Sequence, residues 1–337
     1  MVNHRATYTL DPKWDFKVFN QIFSLLPKNL SINALYTDNS VKSYHRTDTD
    51  SAFQPTPYGT QHRKTLNPSF SVAYQPHSIL NMNYTFNQSR DSVMARKRFG
   101  EEVSRNQNLN ASLSKDLKII SPRFTFNSSY NEDHRFEIRQ DEDLRNVSNT
   151  GSFRVDGQVN VSGIIRFFTR LRDETKDSLH TTGSPAWFAK QIEQFVSHLQ
   201  NPTFNFSRQR NSNYLNVKVR PETKYQWGLV DSIPEDDVAP GSFPGRGMMD
   251  TYGVTSGFNF KIVSANGGYN GTVNRTFNYG GDEVRTNNVS YPNLTLRISK
   301  LEALPLLKKY CRSSSITSGF NQSIEERKEY DVETDSF

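Results

Sequence analysis

The sequence predicts an all-β chain, an antiparallel transmembrane β-barrel segment of about twelve strands. Three observations carry this prediction. Apolar residues stand at every second position in many stretches, most clearly in residues 80–87. The polar residues between them are mostly small and uncharged, and short turns alternate with long charged connections. This pattern is typical of strands with lipid on one side and a water-filled lumen on the other.

The hairpin of residues 68–87 gives the clearest assignment of sides. Its two arms alternate apolar and polar residues, and a short connection at Gln75–Ser78 contains Pro76. The residues that we expect to face lipid, here and in a later strand, are Leu80, Met82, Tyr84, Phe86, Phe124, Phe126 and Tyr130. Those that we expect to face the lumen are Asn81, Asn83, Thr85, Thr125 and Asn127.

The residues before this hairpin predict two strands and two connections. His4–Leu10 alternates as a first strand, and Leu30–Thr37 alternates as the next. Between them, Asp11–Leu26 is too densely apolar for alternation, which indicates a compact insert that is partly helical. The stretch Asp38–Thr65 is polar and contains three Pro or Gly residues, so it predicts a long loop.

After the hairpin, long charged connections alternate with short turns. Gln88–Ser104 and Asn131–Arg145 are charged, and strands are predicted at 108–114 and 124–130 with a short turn between them. Barrels of the outer membrane place short turns on the periplasmic side and longer loops outside. The charged connections are therefore predicted to lie outside the cell.

The largest insertion, residues 164–201, predicts a helix at the periplasmic mouth. Ser184 and Pro185 suit the cap and the first position of a helix, and Pro202 is expected to stop the helix before the next strand. The apolar residues at helical spacing are Trp187, Phe188, Ile192, Phe195, Val196 and Leu199. Such a stripe packs on its own protein more often than it binds a partner or a membrane surface.

The last third of the chain continues the same pattern. Strands are predicted from Phe204 to Val219, and then from Tyr252 onward in three passages that end at Ile298. Arg220–Met248, rich in Pro and Gly, is predicted as an outer loop. Leu301–Tyr310 is a third apolar insert, followed by a strand at 313–323 and a charged tail at 324–337. Residues 1–337 thus form a single barrel segment.

Composition excludes several classes of protein. No run approaches the ~18 consecutive apolar residues of a spanning helix. The net charge of +6 comes from scattered basic residues, which argues against nucleic-acid binding. The single Cys311 and the seven isolated histidines offer no metal-ligand spacing, and no catalytic or cofactor motif is present. We interpret the Asn-x-Ser/Thr triplets as the polar half of strands rather than as glycosylation sites.

Three stretches resemble the SprA/Sov family, the giant outer-membrane barrels that form the translocon of type IX secretion and serve gliding motility. They are Phe16–Tyr36, which includes Leu26-Pro27-Lys28-Asn29-Leu30-Ser31; Arg105–Tyr130; and Asn201–Leu229, which ends in Tyr225-Gln226-Trp227-Gly228-Leu229. The resemblance implies an outer-membrane, protein-conducting pore with a lateral opening. It implies secreted protein cargo, and partner proteins that plug the pore or collect the cargo.

Members of that family are several times longer, and no secretory signal is visible in Met1–Leu10. We therefore expect this chain to be a fragment, an arc of the barrel. Two alternatives stay open at this point. One is a smaller self-closed porin or receptor barrel, and the other is a secreted Asn/Ser-rich β adhesin without a membrane role.

Overall fold

A computed structural model describes most of the chain. The described residues are 2–18, 21–45, 56–91, 100–134, 144–164, 194, 198–240, 244–260, 262–277, 282–300 and 314–330. The chain is all-β, and the predicted fold class is confirmed to the level of a twelve-stranded antiparallel sheet. In the described part, β1 and β14 are the two edges and no pairing joins them, so the sheet is open.

The described residues form fourteen strands. They are β1 (Val2–Leu10), β2 (Asp15–Val18), β3 (Gln21–Ser24), β4 (Asn29–His45), β5 (Thr56–His77), β6 (Leu80–Asp91), β7 (Glu101–Ser114), β8 (Ile120–His134), β9 (Arg145–Val159), β10 (Leu199–Val217), β11 (Gly245–Phe260), β12 (Val263–Phe277), β13 (Glu283–Ser299) and β14 (Ser315–Tyr330). The large sheet has the order β1, β4 and then β5 to β14 in sequence, while β2 and β3 form a separate pair.

The hairpin predicted at 68–87 is present as β5 and β6. Its strands pair from His77 with Leu80 back to Thr65 with Asp91, and residues 78 and 79 make the turn. The first strand and the one predicted at 30–37 are also present, because β1 pairs along its whole length with β4. In these strands the local alternation of residues was sufficient to predict the element.

The loop predicted at 38–65 is wrong over most of its length. Strand β4 extends to His45, and β5 begins at Thr56, with pairing such as Ser40 with His62. A polar stretch can remain a strand when its neighbour supplies backbone partners, and the cross-strand pair of Lys64 and Asp38 adds an ion pair at 3.6 Å. The connections predicted at 88–104 and 131–145 are shortened in the same way, by strands that extend to Asp91 and His134.

The insert at 11–26 is a β-hairpin and not a partly helical unit. Its strands pair Phe16 with Phe23, whose rings stack with centroids 5.7 Å apart. Phe23 also lies against His77, with ring centroids 4.8 Å apart. Dense apolar residues therefore serve here to cover the end of β5 rather than to form a helix.

The helical insert and the tail need two corrections. Leu199, assigned to the periplasmic helix, is the first residue of β10, and Pro202 lies inside that strand instead of preceding it. Proline is tolerated near the start of a strand, where its missing N–H is not needed by a neighbour.

The tail predicted from residue 324 is also wrong up to Tyr330, since β14 continues to that residue. Residues 161–164, at the start of the insert, are helical, and so is Gln194 within the predicted helix. The other stripe residues, Trp187, Phe188, Ile192, Phe195 and Val196, lie outside the described residues, as does the insert predicted at 301–310.

The chain divides into two compact units. Unit 1 contains residues 1–112, 126–151 and 210–246, and unit 2 contains residues 113–125, 152–209 and 247–337. The buried hydrophobic cluster lies in unit 1, where residues that follow β10 fold back onto the strands. Its members are Tyr130, Val147, Tyr214, Val217, Tyr225 and Ile233.

Candidate functional site

In unit 1, the strand register places apolar residues of four strands in rows across one side of the sheet. The rows across β1, β4, β5 and β6 are Leu10, Leu30, Val72 and Tyr84, and Tyr8, Ile32, Phe70 and Phe86. The alternate rows face the other side and are polar: Thr9, Ser31, Ser71 and Thr85, and Thr7, Asn33, Ser69 and Asn87. In these rows, one side of the sheet is apolar and the other is polar. Each row combines four separate stretches of sequence, whose apolar and polar positions must alternate in register.

Unit 2 shows the same division at β12, β13 and β14. The apolar side contains Val263, Ile298 and Ile316 in one row and Leu294 beside Phe320 in another. Leu294 is 48% exposed and Phe320 is 56% exposed, so nothing in the described chain covers them. The opposite side contains Ser264, Arg297 and Thr317 in one row and Asn293 beside Asn321 in another.

The residues assigned to lipid have different surroundings. Phe124 is exposed, while Leu80, Met82, Tyr84, Phe86 and Phe126 are partly exposed. Tyr84 donates from its hydroxyl to Gln107 Oε1 at 3.1 Å, and the guanidinium of Arg105 lies 5.2 Å from the ring centre of Phe86. For all of these except Tyr130, contact with lipid stays a prediction.

Tyr130 was assigned to lipid, and this assignment is wrong. Its side chain is 0% exposed because the chain after β10 packs over it. We call residues 218–240 the covering segment. They include one helical turn, Thr223–Gln226, and a 3₁₀ turn, Glu235–Asp237. Alternation in β8 placed Tyr130 on the correct side of the strand, but the residues that cover it are far away in sequence.

The residues assigned to the lumen lie on polar rows or on exposed positions. Asn81, Asn83 and Asn127 are exposed, and Thr85 and Thr125 are partly exposed. Asn127 accepts a hydrogen bond from the side-chain amide of Asn110 on the neighbouring strand. The structure describes these positions, and their contact with a lumen stays a prediction.

A buried asparagine attaches the covering segment to β9. Asn149 Nδ2 donates to the backbone oxygen of Tyr225 at 2.7 Å and to that of Val230 at 2.9 Å. Ser212 donates either to Asn149 Oδ1 or to the hydroxyl of Tyr225, each at 2.9 Å. The polar groups of this buried site are therefore paired with one another, as buried polar groups must be.

Three tyrosine rings fill the space around this asparagine. Tyr225 meets Tyr130 edge to face at 6.2 Å and Tyr214 at 6.0 Å, both measured between ring centroids. Tyr214 donates to the backbone oxygen of Asp231 at 3.3 Å and accepts from the backbone N–H of Ile233 at 3.3 Å. Burial raises the pKa of Tyr225, so its hydroxyl stays protonated while the segment is in place.

A Schellman motif ends the helical turn of the covering segment. The N–H of Leu229 donates to the oxygen of Lys224 at 3.0 Å, and the N–H of Gly228 donates to the oxygen of Tyr225 at 2.9 Å. Gly228 has φ +64°, the left-handed conformation that this motif requires. Gly228 lies directly on Gly151 of β9, where a Cβ on Gly151 would lie 2.1 Å from the oxygen of Gly228.

A buried carboxylate attaches the other end of the covering segment. Glu132 is 0% exposed, and Arg220 Nε donates to its Oε2 at 3.0 Å while Nη2 donates to its Oε1 at 3.0 Å. Arg220 Nη2 also donates to Glu102 at 2.9 Å, and Arg145 Nη1 donates to Glu132 at 3.2 Å. We call these groups, with His134, the Glu132 cluster.

The Glu132 cluster is an ion-pair network and not a metal centre. The ligand atoms of Glu102, Glu132 and His134 lie within 4.8 Å of one another, a spacing that one cation could bridge. Both carboxylates, however, already accept hydrogen bonds from Arg220. Burial lowers the pKa of Arg220, but Glu132 and Glu102 outweigh burial and raise it above its ordinary value, so the guanidinium stays charged.

The covering segment and the Glu132 cluster were missed by sequence reasoning. Residues 220–248 were predicted as an outer loop, and residue 132 as part of another loop. The stretch Tyr225-Gln226-Trp227 was a usable signal, since two large aromatic residues so close together are unusual in a solvated loop. Nothing in the sequence connects Glu132 with Arg220, which lies 88 positions away.

No protein-family model matches this chain, and a search of curated proteins also finds no match. None of the helices in the described ranges has both the length and the apolar character needed to cross a membrane.

Proposed function

We propose that this chain is part of the wall of an outer-membrane β-barrel that conducts secreted proteins, as in the type IX translocons of the SprA/Sov family. The observation that carries the proposal is the register of the strands. It aligns apolar residues on one side and polar residues on the other, at β1, β4, β5 and β6 and again at β12 to β14. A lipid-exposed side and a wet lumen require this division.

A secreted adhesin accounts for the apolar side less well. A soluble sheet must bury an apolar side against a second layer. Leu294, Phe320 and Ile316 are exposed instead, and Ile316 is 56% exposed. A contact with outer-membrane lipid gives these residues an apolar environment, which supports a location in the cell outer membrane.

A small self-closed barrel is the second alternative, and the sheet edges favour a wall that other strands complete. In the described residues, neither β1 nor β14 has a second neighbour. An unpaired strand edge within lipid would cost several kcal/mol for each unsatisfied backbone group. The small uncharged rows on the polar side of β1, β4, β5 and β6 suit a pore that passes secreted proteins without binding them. Plug or cargo-collecting proteins would complete such a pore.

The two sides of β6 allow a matched test. Met82→Arg places a charge on the apolar side of the sheet. Asn83→Arg places the same charge one residue later, on the polar side. If Met82 lies near the bilayer midplane, the first change should cost about 2–4 kcal/mol of folding free energy in lipid vesicles, and the second far less. Equal losses at the two positions would contradict a membrane wall.

Transport itself is tested at the same pair of positions. A photo-crosslinking residue at 83 should capture exported proteins in secreting cells, while the same residue at 82 should capture lipid. Capture of exported proteins at both positions, or at neither, would contradict a protein-conducting lumen on the polar side.

A further inference from the structure

Two large apolar side chains project from the turn of the covering segment. Trp227 is 44% exposed and Leu229 is 49% exposed, although both adjoin the buried Tyr225 region. The Schellman motif and the contact of Gly228 with Gly151 hold the backbone on both sides of these residues. The backbone that carries Trp227 and Leu229 is therefore held in place. Two large apolar side chains exposed on a held turn are unusual for a purely solvated loop.

Hydrogen bonds place this turn on the apolar side of unit 1. Gln107 Nε2 donates to Gln226 Oε1 at 2.9 Å, and Tyr84 donates to Gln107 Oε1 at 3.1 Å. Tyr84 belongs to the apolar row of Leu10, Leu30 and Val72. Trp227 follows Gln226 directly, so the turn is connected through Gln107 to Tyr84, a member of the row that we propose contacts lipid.

The charges around this turn are mixed, because the covering segment contains three basic and five acidic residues. Arg210 Nη1 donates to the backbone oxygen of Leu229 at 3.3 Å, and the exposed Lys224 lies on the same helical turn. Arg220 and the buried Glu132 lie at the start of the segment, before this turn. Tryptophan prefers the interfacial layer of a bilayer, and nearby Lys and Arg groups can reach anionic headgroups there.

We propose that the turn at residues 227–229 docks into the interfacial layer of the outer membrane. The covering segment then acts as a collar on the outer side of the wall, with Trp227 and Leu229 among the headgroups and upper acyl chains. This inference rests on the proposed function, because it takes the apolar rows as the lipid side. The partner is a lipid surface, recognised by apolar insertion of Trp227 and Leu229.

Depth-dependent quenching of tryptophan fluorescence tests the proposal on the full chain. The protein has three tryptophans, so Trp14→Phe with Trp187→Phe leaves Trp227 as the single emitter. The protein is folded into phospholipid vesicles whose acyl chains are brominated either near the headgroup or near the chain end. The expected result is stronger quenching of Trp227 by the shallow bromines and weak quenching by acrylamide in water.

A second emitter separates this proposal from the proposed function. Leu294→Trp, in a chain with the natural tryptophans changed to Phe, reports on the apolar wall and should be quenched by lipid bromines. If it is quenched by lipid while Trp227 is quenched only by acrylamide, docking is overturned and the membrane wall stands. If neither is quenched by lipid, both proposals fail. Lipid quenching of Trp227 alone supports docking and overturns the wall.

The contact of Gly228 with Gly151 provides the matched control. Gly151→Ala should displace the turn and cause a loss of shallow quenching at Trp227. Gly245→Ala, at a position where a Cβ meets nothing within 4 Å, should retain it. If both variants retained shallow quenching of Trp227, the contact of Gly228 with Gly151 would not position Trp227 in the membrane, and this part of the proposal would be overturned.

Discussion

Replacing Gly151 with alanine should detach the covering segment from the strands. The added Cβ would lie 2.1 Å from the oxygen of Gly228 and 2.9 Å from its carbonyl carbon. Carbon and oxygen approach no closer than roughly 3.3 Å in favourable contacts, so the two backbones must separate by roughly 1.2 Å. Both opposing atoms belong to backbone, and neither can move aside as the end of a flexible side chain could.

The cost follows from the hydrogen bonds that such a separation breaks. Asn149 donates to the segment at 2.7 Å and 2.9 Å, and lengthening both by about 1.2 Å takes them beyond hydrogen-bonding distance. Each intramolecular hydrogen bond contributes about 0.5–1.5 kcal/mol, so the docked state should lose about 1–3 kcal/mol. The population with the segment open should then rise about 5- to 150-fold.

Amide hydrogen exchange measures this opening directly. Peptides that cover residues 223–233 should exchange faster in Gly151→Ala than in the natural protein, while peptides from β4 and β5 should keep their rates. Gly245→Ala adds the same methyl group where no atom lies within 4 Å, and it should leave all rates unchanged. If residues 223–233 exchanged at the same rate in both variants, the close contact would not hold the segment.

Two further predictions concern the attachment of the covering segment. Arg220→Met should destabilise the attached segment by about 1.5–3 kcal/mol, because the buried Glu132 carboxylate loses a charged donor. Denaturant unfolding measures this loss. As a control, Lys218→Met removes an exposed group and should cost little. The attachment of the covering segment to the strands should also weaken as pH rises above 10.0, the ordinary pKa of tyrosine. Burial raises the pKa of Tyr225, so the attached segment binds the hydroxyl proton more tightly than the open segment does. The free energy of attachment is therefore complete below the ordinary pKa of tyrosine and is lost as pH rises above it. Exchange measured against pH should show this loss, and Tyr225→Phe should reduce it without abolishing it, because Tyr130 and Tyr214 are also buried against the segment.

The strands and their sides were predictable from sequence because alternation is a local property. Each of β1, β5 and β6 has its own period of two, so the rows Leu10 to Tyr84 and Tyr8 to Phe86 follow once neighbouring strands pair in order. Local pattern failed where partners decide the outcome. Residues 38–45 are polar and form a strand because β5 pairs with them, and 15–24 is a hairpin although its density of apolar residues resembled a helix.

The sequence by itself determined that the chain is all-β, where most of the main strands lie and which side of those strands is apolar, because these depend on spacing within short stretches. Only the tertiary structure decided that Tyr130 is covered, that Glu132 pairs with Arg220, and that Trp227 and Leu229 stay exposed on the segment that covers Tyr130. The physical reason is distance along the chain. Residues far apart in sequence meet only when the strands have paired, and the free energy that holds them comes from burial and hydrogen bonds that no single stretch contains.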